Sequence, residues 1–346
     1  MKKVCVVGHF GFGETMLNGQ TVKTKILYEE LVRKFGEDAV ICIDTHFASR
    51  LGLLKLPFTL FRALKRSEHT VILPAQNGLR VIVPILSFWN RFFRRGLHYA
   101  VIGGWLAPFL EHRRSLRKQL QRFDGVYVET TTMRGALEAM GFSNAVVMPN
   151  CKTLPILSAE DAEIPAREPY RLATFSRVMR EKGIEDAVNA VRSVNAHFGR
   201  TVYTLDIYGQ VDGGQTEWFD ALRKTFPEEI RYGGLVPFDK SVETLTGCFA
   251  LLFPTHFYTE GIPGTVIDAY AAGVPVISAK WESFADLIRD GETGIGYRFD
   301  DETALEEILR ALAEHPERIL GMRRACLYEA ERYAPKEALR PLTDRL

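Results

Sequence analysis

The sequence predicts an α/β protein built from two doubly wound domains, and three observations carry that expectation. The first half alternates short apolar runs with amphipathic stretches, the rhythm of parallel strands joined by helices. Residues 170–194 repeat that rhythm as an apolar run, a basic loop and a helix face made by Ile184, Val188, Val191 and Val194. The chain has 346 residues, long for one domain, and 46% of them are apolar, enough for two cores. The expected division is 1–150, 151–332 and a tail 333–346, with M-P-N-C-K-T-L-P at 148–155 as the crossing and Pro335 opening a last helix. No internal repeat relates the halves.

The elements of the first half follow in order. Val4 to Val7 reads as a strand that feeds the loop G-H-F-G-F-G-E-T-M-L-N-G, with a helix from Gln20 to Phe35 beyond it. A glycine-rich loop there invites a dinucleotide reading with Asp44 as the nearest ribose acid. The glycines at 8, 11 and 13, however, do not make G-x-G-x-x-G. Three more loops follow strands: P-A-Q-N-G after Val71–Leu73, G-G-W after Tyr99–Ile102, and Glu129-Thr130 after Gly125–Val128. Parallel strands deliver their carboxyl ends to one edge, which makes Gln76, Asn77, Gly103, Gly104, Trp105 and Glu129 candidate ligand contacts. Each alone also fits a structural turn. His98 precedes its strand on this reading and falls at the opposite edge.

Composition narrows the class. The cysteines at 5, 42, 151, 248 and 326 form no C-x-x-C and no cluster with histidine, and they read as buried thiols in a reducing compartment. Lys2 and Lys3 precede V-C-V-V-G, an apolar run too short for a secretory leader. Uncharged stretches such as 96–110 fall short of the ~20 residues that span a bilayer, so the expected location is the cytoplasm. Between Arg50 and Arg122, 14 Lys plus Arg face only Glu68 and Glu111, a local +12 in a chain of net +1. Leu51, Leu54, Phe58 and Phe61 recur at helical spacing with Lys55, Arg62 and Arg66 on another face, and Pro57 is expected to start that helix late. Such a helix suits an anionic membrane surface; a core helix with solvated lysines is the plainer alternative. Nucleic acid is not expected, since no aromatic residues interleave for base stacking.

The second half carries the chemistry. Arg177 and Lys182 follow the strand Tyr170–Ser176, where open sheets bind ligands, and a guanidinium beside an ammonium suits a diphosphate. Further on, F-Y-T-E-G-I-P-G-T-V-I-D-A-Y-A-A-G-V-P-V-I-S at 257–278 orders an acid, a glycine-rich turn, a second acid and a strand. Val266, Ile267, Tyr270 and Ala271 read as a short helix ending at Gly273, whose free first N–H groups favour an anion. Glu260 would then reach a sugar and Asp268 a ribose; acids placed near a helix start for dipole reasons alone are the alternative.

These two blocks resemble the retaining glycosyltransferases of family 4. F-S-R-V-M-R-E-K-G is similar to that family's diphosphate loop, and T-E-G-I-P-G-T-V-I-D-A-Y-A-A-G-V-P-V-I to its motif of two acids. The likeness continues through A-D-L-I-R-D-G-E-T-G-I and covers most of 145–335. It departs where the family usually has glutamate and this chain has Asp268, a methylene shorter. The resemblance implies a GT-B fold, two Rossmann-like domains facing across a cleft, with the tail from Tyr333 crossing back to the first. It implies catalytic roles for Arg177, Lys182 and Glu260, and donor contacts from Gly261, Ile262, Pro263, Gly264, Thr265 and Asp268. Asn18-Gly19 would close over the donor where the family usually has paired glycines.

The expected activity is transfer of a hexose or amino-hexose from a nucleotide diphosphate sugar, a UDP-sugar, to a lipid-linked oligosaccharide in capsule or O-antigen type assembly. On that reading Gln76, Asn77, Gly103, Gly104, Trp105 and Glu129 become acceptor contacts. The chain has no D-x-D, so no metal or other cofactor is expected, and charge on the departing phosphate is met by protein groups. A nucleotide-sugar epimerase of the same fold, an NAD-dependent oxidoreductase working through the first loop, and a non-catalytic nucleotide-binding module are the alternatives.

Overall fold

The computed structural model describes residues 1–11, 19–45, 50–301 and 303–346. The chain divides into two units, Met1–Thr153 with Tyr333–Leu346, and Leu154–Arg332.

In the first unit the order is β1 (Lys2–Gly8), α1 (Gly19–Phe35), β2 (Val40–Asp44), α2 (Arg50–Arg66), β3 (Ser67–Ile72) and α3 (Gln76–Phe93). There follow β4 (Gly96–Ala100), α4 (Leu106–Leu110), α5 (Arg114–Leu120), β5 (Gly125–Val128), α6 (Thr131–Ala139) and β6 (Ala145–Val147). All six strands run parallel in the order β2-β1-β3-β4-β5-β6, so every strand ends at the same edge. Both faces are covered, as the continuous Val/Ile/Leu runs of the strands require. Cys5 and Val7 pack toward Leu60, Leu64 and Leu86 on one face, while Val4 and Val6 pack toward Leu27 and Leu31 on the other. The tail belongs to this second layer. Tyr333 O accepts from Lys152 N, the helical turns Pro335–Ala338 and Arg340–Thr343 place Ala338, Leu339 and Leu342 in the core, and Lys34 Nζ donates to Thr343 O at 2.7 Å.

Three expectations change here. His98 lies inside β4 rather than before it, buried, with its ring nitrogens 3.1 Å from His69 and from the Tyr127 hydroxyl. Burial lowers its pKa to about 4, so it is a neutral core imidazole. Second, α2 starts at Arg50 and takes Pro57 within it. Third, the core-helix alternative for α2 holds for a different stripe: Leu56, Leu60, Ala63 and Leu64 are buried, while Leu54 and Phe58 stay exposed. Both stripes have helical spacing; the sheet selects the one without lysine or arginine beside it.

The second unit runs β7 (Tyr170–Phe175), α7 (Ile184–Phe198), β8 (Tyr203–Tyr208), α8 (Thr216–Arg223), β9 (Ile230–Gly234), α9 (Ser241–Leu245), β10 (Ala250–Phe253), α10 (Gly264–Ala271), β11 (Val276–Ala279) and β12 (Gly294–Tyr297). Its parallel sheet has the order β12-β11-β10-β7-β8-β9. The chain builds outward from β7 to β9 and then returns to the other side at β10. The switch point therefore lies between β7 and β10, and the loops leaving these two strands border the crevice where such sheets bind ligands. Ile184, Val188, Val191 and Val194 all lie on the buried face of α7, as the spacing predicts. Among the described residues no helix is long and apolar enough to cross a membrane. Cys5, Cys151, Cys248 and Cys326 are buried free thiols and Cys42 is half-buried.

Candidate active site

The loop after β7 carries Arg177 and Lys182, and the loop after β10 carries Glu260, so the switch point brings both sequence blocks to one place. Glycine makes the approach possible. A Cβ on Gly183, at φ 67°, would sit 1.9 Å from Pro254 O, so the two loops touch backbone to backbone and only glycine fits. The loop after β8 joins them: a Cβ on Gly209 would lie 1.8 Å from Ser176 O, and Val178 exchanges backbone bonds with Gln210 and Asp212.

Lys182 is the centre of the arrangement. Its ammonium pairs with Glu260, lies 4.9 Å from the Phe257 ring centroid and 5.5 Å from that of Phe253, and is largely shielded from water. Thr255 Oγ1 lies 3.5 Å from Glu260 Oε1 and accepts from Phe257 N, fixing the turn that presents the carboxylate. Arg177 is the outer cation, 60% exposed and 3.5 Å from Asp212. Gln215 accepts from Arg180 N and donates to Glu181, bracing the loop between the two cations.

Gly261 and Ile262 are buried, and Pro263, Gly264 and Thr265 are half-buried where α10 begins. The first N–H groups of a helix lack internal acceptors, so this end presents donors and a partial positive charge. Thr265 Oγ1 is buried there with no hydrogen-bond partner. An orphaned hydroxyl at a helix start, in the loop whose Glu260 pairs with Lys182, suits a polyanionic ligand.

His256, which the sequence reading did not single out, bridges Asp186 Oδ2 at 2.7 Å and Asp300 Oδ1 at 3.3 Å while its N–H donates to Glu181 O. Burial opposes the charged ring, yet the bonds to Asp300 and Asp186 outweigh it and raise the pKa. A raised folded-state pKa stabilises the fold fully below the unfolded value of about 6.5, and the contribution fades as pH rises through the folded value. The melting-temperature gap between wild type and His256→Gln is therefore expected to be widest in mild acid and to close toward alkaline pH. A gap that stays constant across the pH series would rule this clamp out.

The comparisons with known proteins bear on this unit most directly. The model of the glycosyl transferases group 1 family matches residues 169–315, which contain every strand and loop just described. Residues 169–315 belong to that family. Among curated relatives of this group 1 segment, glycogen synthase of Mycobacterium tuberculosis is 27% identical over 158 residues, 45% of this chain and 36% of that one. The amylovoran biosynthesis glycosyltransferase AmsK of Erwinia amylovora is 26% identical over 152 residues, 42% of this chain and 37% of that one. The matches thus span about a third of the length of these relatives. The fold is shared along the whole chain. HepE of Anabaena, solved in complex with UDP, superposes with a TM-score of 0.75 at 14% identity over 100% of this chain and 99% of that one. The lipopolysaccharide outer core galactosyltransferase WaaB superposes with 0.67 at 17% identity over 100% of both. The architecture is GT-B-like, two six-stranded parallel sheets with their helices.

Two of the expected contact residues are buried and held by other side chains. Asp268, expected to face a ribose, is 1% exposed on the inner side of α10 and accepts from Ser241 Oγ at 2.8 Å. Its side chain, a methylene shorter than glutamate, meets a hydroxyl from α9. Glu129, expected at an acceptor, is buried beside β5 and pairs with Lys23 at 2.7 Å. The other first-unit candidates sit at the carboxyl edge with differing freedom. Gln76 and Asn77 are exposed and open α3 rather than a loop, because β3 ends at Ile72 and the turn is only three residues long. Gly103 has φ 79° and lies with Gly104 in the turn after β4, while the Trp105 indole donates to Ile102 O at 2.8 Å and packs edge-on to Phe109. Gly19 is the first residue of α1, and Asn18 lies outside the described residues. Asp44 accepts from Phe10 N at 3.0 Å.

Proposed function

We propose that the chain is a retaining, metal-independent glycosyltransferase that moves a hexose or amino-hexose from a UDP-sugar to a lipid-linked oligosaccharide in surface-polysaccharide assembly on the cytoplasmic side of the membrane. The observation that carries this reading is the pairing of Lys182 with Glu260 across the switch point of a group 1 unit, with Arg177 on the same loop as Lys182 and the start of α10 just after Glu260. Support for UDP comes from the HepE structures, which hold UDP and UDP-glucose, and for polysaccharide from AmsK.

In this reading Arg177, Lys182 and the α10 amides hold the diphosphate, and Glu260 with Gly261, Ile262, Pro263 and Gly264 holds the sugar. The anomeric C–O bond to phosphate breaks while the acceptor hydroxyl attacks from the same face, and the departing phosphate oxygen takes that hydroxyl's proton. Retention follows without a covalent enzyme intermediate. Preset positive charge at the phosphate lowers the barrier by meeting the charge that develops there, and positioning does the remainder.

The test is UDP release from UDP-glucose and UDP-N-acetylglucosamine, with and without a short lipid-linked saccharide, in buffer containing EDTA. Release that depends on the acceptor and survives chelation is expected. Release of a sugar isomer without acceptor would make the protein an epimerase, and activity lost in EDTA and restored by Mn²⁺ would refute the phosphate site. Docking of the basic first unit on anionic lipid is part of the same reading, supported by the +12 between Arg50 and Arg122.

A further inference from the structure

The solvent side of α2 and α3 is unlike the rest of the first unit. Leu54 is 77% exposed, Phe58 57%, Phe88 51% and Phe92 71%. Single exposed apolar side chains are ordinary, but these form a connected row. Phe88 and Phe92 are one helical turn apart with centroids 6.1 Å from each other, and Phe88 meets Trp89 edge-on at 5.0 Å. Trp89 in turn meets Phe61 of α2 at 5.0 Å, and Phe58 and Leu54 continue the same stripe of α2. Both helices already bury a second stripe against the sheet, so the core is filled without these rings. What they present outward is surplus to folding.

Cations edge the row. Arg62 lies over the Phe58 ring at 4.2 Å, and Lys55, Lys65, Arg66 and Arg91 are exposed, with no ion-pair partner among the described residues. No acid occurs between residues 69 and 110. Beside Phe88 a cavity of about 250 Å³ opens, lined by Ser87, Asn90, Arg91, Gln119 and Arg122, two guanidiniums and no carboxylate. Aromatic rings that can enter the acyl boundary, flanked by cations without partners, fit an anionic bilayer better than an apolar protein face, which would leave those charges desolvated and unpaired.

We infer that the exposed face of α2 and α3 is the membrane-contacting surface, with Phe88 and Phe92 inserted at the headgroup level and Arg91 and Arg122 holding the phosphate of an anionic phospholipid. This rests on the membrane reading given above and goes further by naming the surface and the lipid group. It moves the centre of contact from the lysines of α2 to the aromatic row of α3.

The experiment measures co-sedimentation of the full chain with vesicles of phosphatidylcholine, with and without phosphatidylglycerol, alongside turnover on a water-soluble acceptor. Phe88→Ser/Phe92→Ser is expected to lower vesicle binding at least roughly tenfold at unchanged salt, because inserted rings are lost while charge is kept. Arg91→Gln/Arg122→Gln should lower binding to phosphatidylglycerol vesicles only, by roughly fivefold per charge, and leave the weak binding to phosphatidylcholine alone unchanged. Turnover on the soluble acceptor should stay near wild type, and the melting temperature should hold because the altered rings are exposed. If the double phenylalanine variant fails to fold, Phe92→Glu alters the most exposed ring alone and must also weaken binding. Wild-type sedimentation by the phenylalanine variants, together with loss on changing Lys55, Arg62, Lys65 and Arg66 to Gln, would overturn insertion of the α3 rings, return the centre of contact to the cations of α2 and keep the broader membrane reading. No loss in any variant would overturn both. A wild-type dimer that these variants dissociate, with no vesicle binding, would make the row a contact between copies.

Discussion

Arg177→Ala is expected to lower kcat for UDP-sugar transfer by roughly 10² to 10³, the usual cost of removing one preset donor to a developing oxyanion. The melting temperature should barely move. Arg177 is 60% exposed and its partner Asp212 is 3.5 Å away, an exposed pair of the kind that contributes about 0–1 kcal/mol to stability. The same change at Lys182 is expected to behave differently. Lys182 is shielded, pairs with Glu260 and lies against two aromatic rings, so its loss leaves a carboxylate unpaired in the pocket. Stability and turnover should fall together there. Arg177→Lys should recover only part of the loss, since an ammonium keeps the charge but not the two-pronged donor geometry. Steady-state UDP release and thermal unfolding on the three variants check this. Turnover within threefold of wild type for Arg177→Ala would remove Arg177 from the phosphate site.

The sequence made the second unit readable because its signals are local. A strand, a basic loop and the apolar spacing of α7 lie within twenty-five residues, and T-E-G-I-P-G-T-V-I-D carries its turn chemistry in order. What it could not show was depth. The burial of Asp268 and its bond to Ser241, which α9 brings from 27 residues away, leave no trace in one dimension. The helix α2 had two apolar stripes, and only the position of the sheet decides which is buried. His256 carries no motif of its own; its partners come from the start of α7 and from the loop after β12, 70 and 44 residues distant. Asp212 and Gln215 did leave a signal. V-D-G-G-Q follows β8 and is a third glycine-bearing loop on the same carboxyl edge as Arg177.

Lys23→Met is expected to be the most destabilising single change in the first unit. Lys23 looks in sequence like any polar position of an amphipathic helix, but it is 1% exposed, and its ammonium donates to Glu129 Oε1 at 2.7 Å and to Val101 O at 3.1 Å. One buried charge thus ties the start of α1 to the ends of β4 and β5, the strands that lead into the Gly103-Gly104-Trp105 turn and Glu129. Removing the cation of a buried pair takes from Glu129 its charged partner, at up to about 3–5 kcal/mol, or roughly 6–20 °C in melting temperature for a unit of this size. Glu129→Gln should cost less, since the amide oxygen still accepts from the ammonium. Lys23→Met/Glu129→Leu should recover much of the loss by replacing the pair with apolar contacts, and that recovery separates desolvated charge from lost packing as the cause. If the double variant is instead as unstable as the sum of the two single changes, the stability at this site comes from side-chain packing and the ion pair contributes little. In the recovered double variant the fold is kept while the tie between β4, β5 and α1 is weaker. Its KM for the saccharide acceptor should therefore rise with kcat for UDP-sugar hydrolysis unchanged, because the proposed donor residues Arg177, Lys182 and Glu260 belong to the other unit.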